Sequence, residues 1–132
     1  MKLQELHILI AEDDIDDAEI IEASFARHSS FTNVDIVKNG KELLDYLDKK
    51  IPDVILTDIN MPILNGIEAL TAIHENENLR NIPAFVYSTT INPSYEARCK
   101  ELGTKGFLIK PFQLDEFYEI PNRILYILGL DQ

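Results

Sequence analysis

Five short apolar runs alternate with five helix-like segments along the whole chain. The runs are LHILIA (6–11), VDIV (34–37), DVILT (53–57), PAFVYS (83–88) and GFLIK (106–110). Most are continuously apolar, which is the pattern of strands that are covered by helices on both faces of a sheet. Strict alternation of strands and helices predicts a parallel sheet with right-handed crossovers. VDIV carries a polar residue, so we expect it near an edge of the sheet.

The segments between the runs have apolar residues at helical spacing. Helices are predicted over about 15–28, over 40–50, from about 65, over about 93–102 and after 111. Gly103 is expected to end the fourth helix, and Pro121 to interrupt the fifth. No linker, repeat or low-complexity tract divides the chain, and 132 residues are enough for one core. We therefore predict one domain over residues 1–132, with no output domain.

The charge balance excludes several classes of function. Twelve basic and 23 acidic residues give a formal net charge of −11, which argues against direct binding to nucleic acid or to an anionic membrane. No apolar run approaches the roughly 20 residues that span a bilayer. Acidic residues follow the first apolar run where a signal peptide would have its cleavage site, so we expect a cytoplasmic protein. Cys99 is the single cysteine, which rules out an internal disulfide and a cysteine zinc site.

Polar residues at the strand ends indicate where the chemistry lies, because open parallel sheets bind ligands outside the carboxyl ends of their strands. At or after the ends of runs one, three, four and five stand Glu12-Asp13-Asp14, Asp58, Ser88-Thr89-Thr90 and Lys110. Carboxylates from two strand ends would repel each other in one crevice, and Mg²⁺ with oxygen ligands relieves that repulsion. Together with a lysine and a hydroxyl, this set suits phosphoryl transfer, with a carboxylate as the nucleophile.

Each of these signals also has a simpler interpretation when it is taken alone. An acidic triplet after a strand is often a helix N-cap, and a lone aspartate at a strand end is often a turn residue. The ordered set at four strand ends is the specific feature.

The same segments resemble the receiver domain of two-component response regulators, the CheY-like family. The resemblance is carried by ILIAEDD (8–14), DVILTDINMPILNG (53–66), PAFVYST (83–89) and GFLIKPF (106–112). It implies a flavodoxin-like α/β fold, which is a doubly wound five-stranded parallel sheet of order 2-1-3-4-5 with helices on both faces. It also implies a phosphoacceptor switch protein rather than an enzyme, served by a histidine kinase or a histidine phosphotransfer protein.

Position by position, the resemblance implies how the phosphoryl group and the metal are held. Asp58 matches the phosphoacceptor and a Mg²⁺ ligand. Asp13 matches the direct Mg²⁺ ligand, and Glu12 the acidic partner that acts through water. Asn60 would ligate Mg²⁺ through its backbone carbonyl.

A second set matches the switch. Ser88 and Lys110 match the hydroxyl and the lysine that bond the phosphoryl group. Thr89 stands where many receivers have Ala or Gly, so its bulk is expected to restrict access. Phe107 matches an aromatic switch residue, without the hydroxyl of the more familiar tyrosine. The Lys110–Pro111 peptide bond is implied to be cis.

The final segment, QLDEFYEIPNRILYILGLDQ (113–132), has an apolar stripe that is wider than one buried face needs. We interpret it as a partner surface or a homodimer surface in the region of helix four, strand five and helix five. The alternative is a helix end that is capped by its own tail. This segment and NENLRNIP (76–83) resemble those of stand-alone receivers that partner bacterial phytochrome kinases.

Three other functions fit parts of the pattern. A degenerate receiver would act as a binding module without phosphorylation, but the intact set of Asp13, Asp58, Ser88 and Lys110 argues against it. A phosphatase or phosphotransferase would need a second catalytic acid near the nucleophile and a substrate cap. A flavin-binding electron carrier would need a Ser-, Thr- or Gly-rich loop after the first strand, where this chain is acidic.

Overall fold

The five predicted strands form one parallel sheet in the computed structural model, which describes residues 5–89 and 92–130. The strands are β1 (Leu6–Ala11), β2 (Phe31–Val37), β3 (Val54–Thr57), β4 (Ala84–Ser88) and β5 (Gly106–Ile109). Their order is β2-β1-β3-β4-β5, which confirms the predicted topology and the edge position of the second strand. That strand begins three residues earlier than predicted. Phe31 is buried at its start, while Thr32 and Asn33 are exposed on the open edge and hide the strand pattern.

Helices cover both faces of the sheet. They are α1 (Ile15–Ala26), α2 (Gly40–Leu47), α3 (Gly66–Glu75), α4 (Pro93–Glu101), α5 (Leu114–Phe117) and α6 (Ile120–Leu128). Successive residues of a strand point to opposite faces, so each strand contributes to two cores. In β3, Ile55 packs with α2, α3 and α4, whereas Val54 and Leu56 pack with α1, α5 and α6.

The last predicted helix is divided into α5 and α6, as the proline in this segment suggested. Pro121 lies in the first turn of α6, where its missing N–H and its fixed φ are compatible with the start of a helix. The apolar stripe is partly buried by the chain itself: Phe117, Ile120 and Ile124 lie in the core. Tyr126 remains exposed.

The sheet register brings the ends of β1 and β3 to the same level. Ala11 pairs with Thr57, so Glu12 and Asp58 leave the sheet side by side. The backbone N–H of Asp58 donates to the carbonyl of Ala11 at 3.0 Å. The two acidic residues therefore start from neighbouring, hydrogen-bonded backbone positions.

Gly66 sets the position of the loop that carries Asp58. Its N–H donates to the carbonyl of Ile59 at 2.8 Å, and a Cβ on Gly66 would stand 2.1 Å from the carbonyl oxygen of Asp58. The loop and the start of α3 therefore approach each other more closely than any side chain allows. A capping box formed by Asn65 and Glu68 then begins α3.

Gly66→Ala is expected to lower the free energy of unfolding by about 3 kcal/mol, because backbone must move to make room for the methyl group. Urea unfolding measures the change. Gly103→Ala is the matched control: it has φ +80 with open space around it, so only backbone strain of about 1 kcal/mol is expected. A Gly66→Ala loss no larger than that of the control would contradict the close approach.

The same described residues contain no helix that has both the length and the apolar character needed to cross a membrane.

Candidate functional site

Four carboxylates and one lysine meet at the carboxyl end of the sheet. Carboxylate oxygens of Glu12, Asp13 and Asp58 lie within 4.8 Å of one another, and we call these three residues the acidic cluster. Glu12 and Asp58 are buried, with 1% and 7% of their surface exposed, while Asp13 faces solvent. Buried carboxylates this close repel each other unless a cation is present.

Lys110 supplies a cation from the end of β5. Its Nζ donates to Glu12 Oε1 at 2.8 Å, to Asp58 Oδ2 at 2.8 Å and to Asp17 Oδ2 at 3.1 Å. An ammonium group has three protons, and three carboxylates accept here. Burial alone would lower the pKa of Lys110, but the hydrogen bonds to Asp58 and Glu12 outweigh it and raise the pKa above the ordinary value. The amine is therefore charged at neutral pH.

Asp58 is held at both carboxylate oxygens. Oδ1 accepts from the N–H of Ile59 at 2.7 Å, and Oδ2 accepts from Lys110. The Thr57 hydroxyl donates to the Asp58 carbonyl at 2.8 Å, which fixes the backbone as well. A carboxylate has about four acceptor positions, so both oxygens keep capacity for a further ligand beside these two donors. The Asp58 side chain is thus held in one orientation and keeps acceptor positions free for a further ligand.

Glu12 is oriented by three donors. Oε1 accepts from Lys110 and from the hydroxyl of Tyr87, and Oε2 accepts from the N–H of Asp14 at 3.1 Å. Burial raises the pKa of Glu12, and the bonds from Lys110 and Tyr87 partly offset that effect. The side chain is thus tightly bound, although it comes from a loop.

The other predicted site residues lie at the same end of the sheet with different environments. Ser88 is buried at the end of β4, and its carbonyl accepts from the N–H of Lys110 at 2.7 Å. Thr89 and Asn60 are exposed. Phe107 is half-buried against the core that faces α2, α3 and α4. The structure therefore joins Lys110 directly to Glu12 and Asp58, and Ser88 through the backbone, while Phe107 belongs to a packed core.

The peptide bond before Pro111 is trans, as are all peptide bonds between described residues, which contradicts the cis bond implied by the resemblance. The trans isomer before proline is favoured by about 0.5–1 kcal/mol. Lys110 reaches its three carboxylates in this geometry. The lysine position thus gives no reason to adopt the less stable isomer.

Two residues of the site were missed at the level of sequence. Asp17 is an acidic residue in the first turn of α1, and acidic residues are favoured at the positive end of a helix. Tyr87 is a fully buried tyrosine one residue before Ser88, and buried tyrosine hydroxyls usually have a hydrogen-bond partner. These two signals were available in the sequence, but neither indicates that Asp17 contacts Lys110 or that Tyr87 contacts Glu12.

A second polar cluster lies at the edge of the sheet, away from this site. His7 Nε2 lies 3.0 Å from Asp35 Oδ2 and 2.9 Å from the hydroxyl of Tyr46, which donates to the same Asp35 oxygen at 2.5 Å. The bond from Tyr46 is the main cause of a lowered pKa of Asp35, with a smaller contribution from His7. The cluster joins β1, β2 and α2, which indicates a structural role for His7.

Large apolar side chains are exposed just after three of the strand ends that carry the site, one at the start of α1 and two on loops. Ile15, Ile63 and Phe112 are 74%, 76% and 90% exposed, and they follow β1, β3 and β5 respectively. Ile63 has φ 71, which is strained for a β-branched residue, and the N–H of Leu64 donates to the carbonyl of Pro62 at 2.7 Å across it. We call Ile15, Ile63 and Phe112 the apolar rim.

The ligand atoms of the acidic cluster suit a divalent cation. Its donors are carboxylate oxygens from two neighbouring strand ends, and Mg²⁺ binds such oxygens together with water. Glu12, Asp13 and Asp58 could hold the ion, and Lys110 lies beside it. This arrangement suits the transfer of an anionic group to a carboxylate.

Comparisons with known proteins agree with this geometry. Residues 8–121 match the family described as the response regulator receiver domain. The two-component response regulator ORR3 of Oryza sativa subsp. indica is 33% identical over 123 residues, which are 92% of each chain. The crystal structure of the phosphorylated cyanobacterial phytochrome response regulator RcpA superposes with a TM-score of 0.85, 26% identity and 97% coverage of both chains. The bacteriophytochrome response regulator RtBRR gives a TM-score of 0.80 and 28% identity, covering 98% of this chain and 81% of that one.

Proposed function

Because this chain belongs to the response regulator receiver family of two-component signalling, we propose that Asp58 accepts a phosphoryl group from a histidine kinase or a histidine phosphotransfer protein. The observation that carries the proposal is the buried Asp58 carboxylate, which is 2.8 Å from Lys110 and within a cluster of three carboxylates. Such a group is costly to bury and is suited to phosphoryl transfer.

In the proposed reaction, a carboxylate oxygen of Asp58 attacks the phosphorus of a phosphohistidine. A new O–P bond forms as the P–N bond breaks, and the histidine nitrogen keeps the electron pair. Lys110 and the N–H of Ile59 hold the carboxylate in one orientation throughout. Mg²⁺, held by Asp13, Asp58 and the Asn60 carbonyl and through water by Glu12, would supply positive charge to the transferring group.

A phosphoryl group on Asp58 would add acceptor oxygens that the free carboxylate does not have, so donors in the site can form new bonds to them. Lys110 and Ser88 are the proposed donors, with exposed Thr89 limiting access beside them. Bonds present in one state bias a two-state equilibrium. We propose that the loop after Ser88 moves inward, that Phe107 follows, and that the face formed by α4, β5 and the final helical segment, α5 with α6, changes shape. Amide NMR shifts on that face should change with beryllofluoride, and unchanged shifts would refute the switch.

The test of phosphoacceptance is incubation with acetyl phosphate and Mg²⁺, followed by intact mass. A gain of one phosphoryl group is expected, and a chelator should abolish it because the acidic cluster then lacks its cation. If folded protein gains nothing from acetyl phosphate or from other small donors, the proposal fails. The chain would then be a receiver that binds partners without phosphorylation.

The apolar rim supports a partner that brings its phosphohistidine on an apolar surface. Exposed apolar groups around a polar site mark contact surfaces. The strained φ of Ile63 places an apolar side chain in solvent, at a cost that partner contact would offset. The similarity to RcpA and RtBRR, both named as phytochrome response regulators, favours a kinase of the phytochrome type.

Phe112→Ser is expected to slow phosphoryl transfer from a phosphorylated histidine phosphotransfer protein about tenfold, since exposed aromatic anchors contribute more than 1 kcal/mol at many interfaces. Transfer assays that are quenched at a series of times measure the rate. Labelling by acetyl phosphate should be unchanged, because that donor needs no protein contact. Ile51→Ser, which removes an exposed apolar side chain before the start of β3 and so at the opposite end of that strand from Asp58, is the control. Equal loss in both variants would contradict the rim as a contact surface.

We also propose a homodimer through the region of α4, β5, α5 and α6, where Ile109, Leu114 and Ile127 are exposed. A monomer in light scattering at high concentration, with and without acetyl phosphate, would refute the homodimer.

We also propose a cytoplasmic location, because a chain whose one cysteine is buried and unpaired suits a reducing compartment.

A further inference from the structure

Tyr87 carries a hydroxyl in a place where packing alone needs none. Its ring is fully buried in the core that faces α1, α5 and α6. Burial of a phenol without a partner is costly, so a phenylalanine would fill this space with less risk. The hydroxyl donates to Glu12 Oε1, and the ring lies 4.9 Å from the Nζ of Lys110. The partner of this buried hydroxyl is therefore a carboxylate of the acidic cluster.

The bond from Tyr87 makes the two oxygens of Glu12 different. Oε1 accepts from both Tyr87 and Lys110, whereas Oε2 accepts from the N–H of Asp14 at the longer distance of 3.1 Å. Each carboxylate oxygen has two acceptor positions, so Oε1 is filled by these donors. Among the described contacts, Oε2 is the oxygen that keeps acceptor capacity.

The strand register explains why Tyr87 reaches this position. Thr57 pairs with Val86, so Tyr87 stands level with Asp58, and Ala11 before Glu12 pairs with Thr57 on the other side. Tyr87 therefore spans the end of β3, from β4 to the loop after β1. It holds Glu12 from the core side while Lys110 holds the same oxygen from the end of β5.

We propose that Tyr87 is a positioning residue, which fixes Glu12 so that Oε2 is the oxygen offered to a water molecule of bound Mg²⁺. This inference rests on the Mg²⁺ site of the proposed function. Tyr87 acts through Glu12 and touches neither the metal nor the phosphoryl group. Groups that orient metal ligands in this way typically change metal affinity by about 10- to 100-fold when they are removed.

The first measurement is a Mg²⁺ titration of wild-type protein and of Tyr87→Phe without any phosphodonor. Binding is monitored through the amide NMR shifts of residues 11–14 and 57–59. The expected result is a Mg²⁺ dissociation constant about tenfold higher in the variant, because Glu12 loses its fixed orientation. Tyr46→Phe is the matched control. It removes the same kind of bond, from a phenol to Asp35, at the sheet edge, and should leave Mg²⁺ affinity unchanged.

The double variant separates an effect through Glu12 from a general loosening. In the Glu12→Ala background, Tyr87→Phe should leave the Mg²⁺ dissociation constant unchanged, since the group that it orients is gone. A further loss in that background would overturn the inference. So would a Tyr87→Phe affinity equal to that of wild type. If Tyr87→Phe does not fold, Glu12→Ala decides alone, and unchanged Mg²⁺ affinity in that variant overturns the inference. Wild-type protein that binds no Mg²⁺ would instead refute the proposed metal site.

Discussion

Asp58→Asn is expected to lower the rate of phosphorylation by acetyl phosphate at least about a thousandfold, because it removes the nucleophile. The amide has nearly the same shape as the carboxylate, and its oxygen can still accept from the N–H of Ile59 or from Lys110. The fold should therefore persist while the chemistry is lost. Intact mass against time, with equal Mg²⁺ for all variants, measures the rate.

Asp48→Asn is the control for Asp58→Asn. Asp48 follows the last residue of α2, where its backbone N–H donates to the end of the helix and its carboxylate is exposed, so loss of that charge should leave the rate unchanged. Full phosphorylation of Asp58→Asn would assign the phosphoryl group to another carboxylate. Asp13 and Asp17 would be the first residues to test by the same substitution.

Lys110→Met is expected to lower the free energy of unfolding at neutral pH by about 3 kcal/mol, because removing one partner leaves buried charges uncompensated. Glu12 and Asp58 are the buried partners, and Asp17 is the third. Urea unfolding measures the loss. Mg²⁺ should restore part of it, since the ion binds the folded state and supplies positive charge to the same carboxylates.

The pH dependence of this loss has a definite sign. The pKa of Lys110 is raised, so its contribution is fully present below the ordinary value of 10.5 and disappears as the pH rises through the folded-state pKa. Burial raises the pKa of Glu12 above its ordinary value of 4.5, so as the pH falls Glu12 takes up a proton at a higher pH than a free glutamate does. The difference between wild type and Lys110→Met should therefore shrink in acid, where fewer carboxylates are charged.

Lys41→Met is the control for Lys110→Met. Lys41 pairs with Asp45 at 2.9 Å on the exposed face of α2, and exposed pairs contribute less than about 1 kcal/mol. A loss in Lys110→Met no larger than in Lys41→Met would show that the buried cluster does not depend on the lysine charge.

The sheet could be predicted because its signals are local. Ile8, Ile10, Val54 and Leu56 lie in continuously apolar runs, and each run ends at a polar residue that leaves the sheet. The start of β2 was missed because Thr32 and Asn33 lie on an exposed edge, where polar side chains are tolerated. The prediction of a cis peptide bond before Pro111 was wrong, because it came from the family resemblance and not from the local energies of this chain.

The roles of the site residues were predicted from the resemblance, and they remain proposals. The pairing of Lys110 with Asp17, and of Tyr87 with Glu12, could not be predicted. Asp17 lies outside the quoted segments, and Tyr87 lies within PAFVYST (83–89) but was not among the predicted site residues. Each has an ordinary local explanation, as an acidic residue at a helix start and as a core aromatic residue.

The sequence by itself determined the alternation of strands and helices and the polar residues at four of the five strand ends, because these patterns are encoded within a few neighbouring positions. Tertiary structure decided which atoms meet. Glu12 and Tyr87 are 75 residues apart, and Lys110 lies 98 residues from Glu12 and 52 from Asp58. Their contacts exist because strand order and register place the ends of four neighbouring strands, β1, β3, β4 and β5, side by side. There, burial raises the cost of each charge, and Lys110 compensates for it.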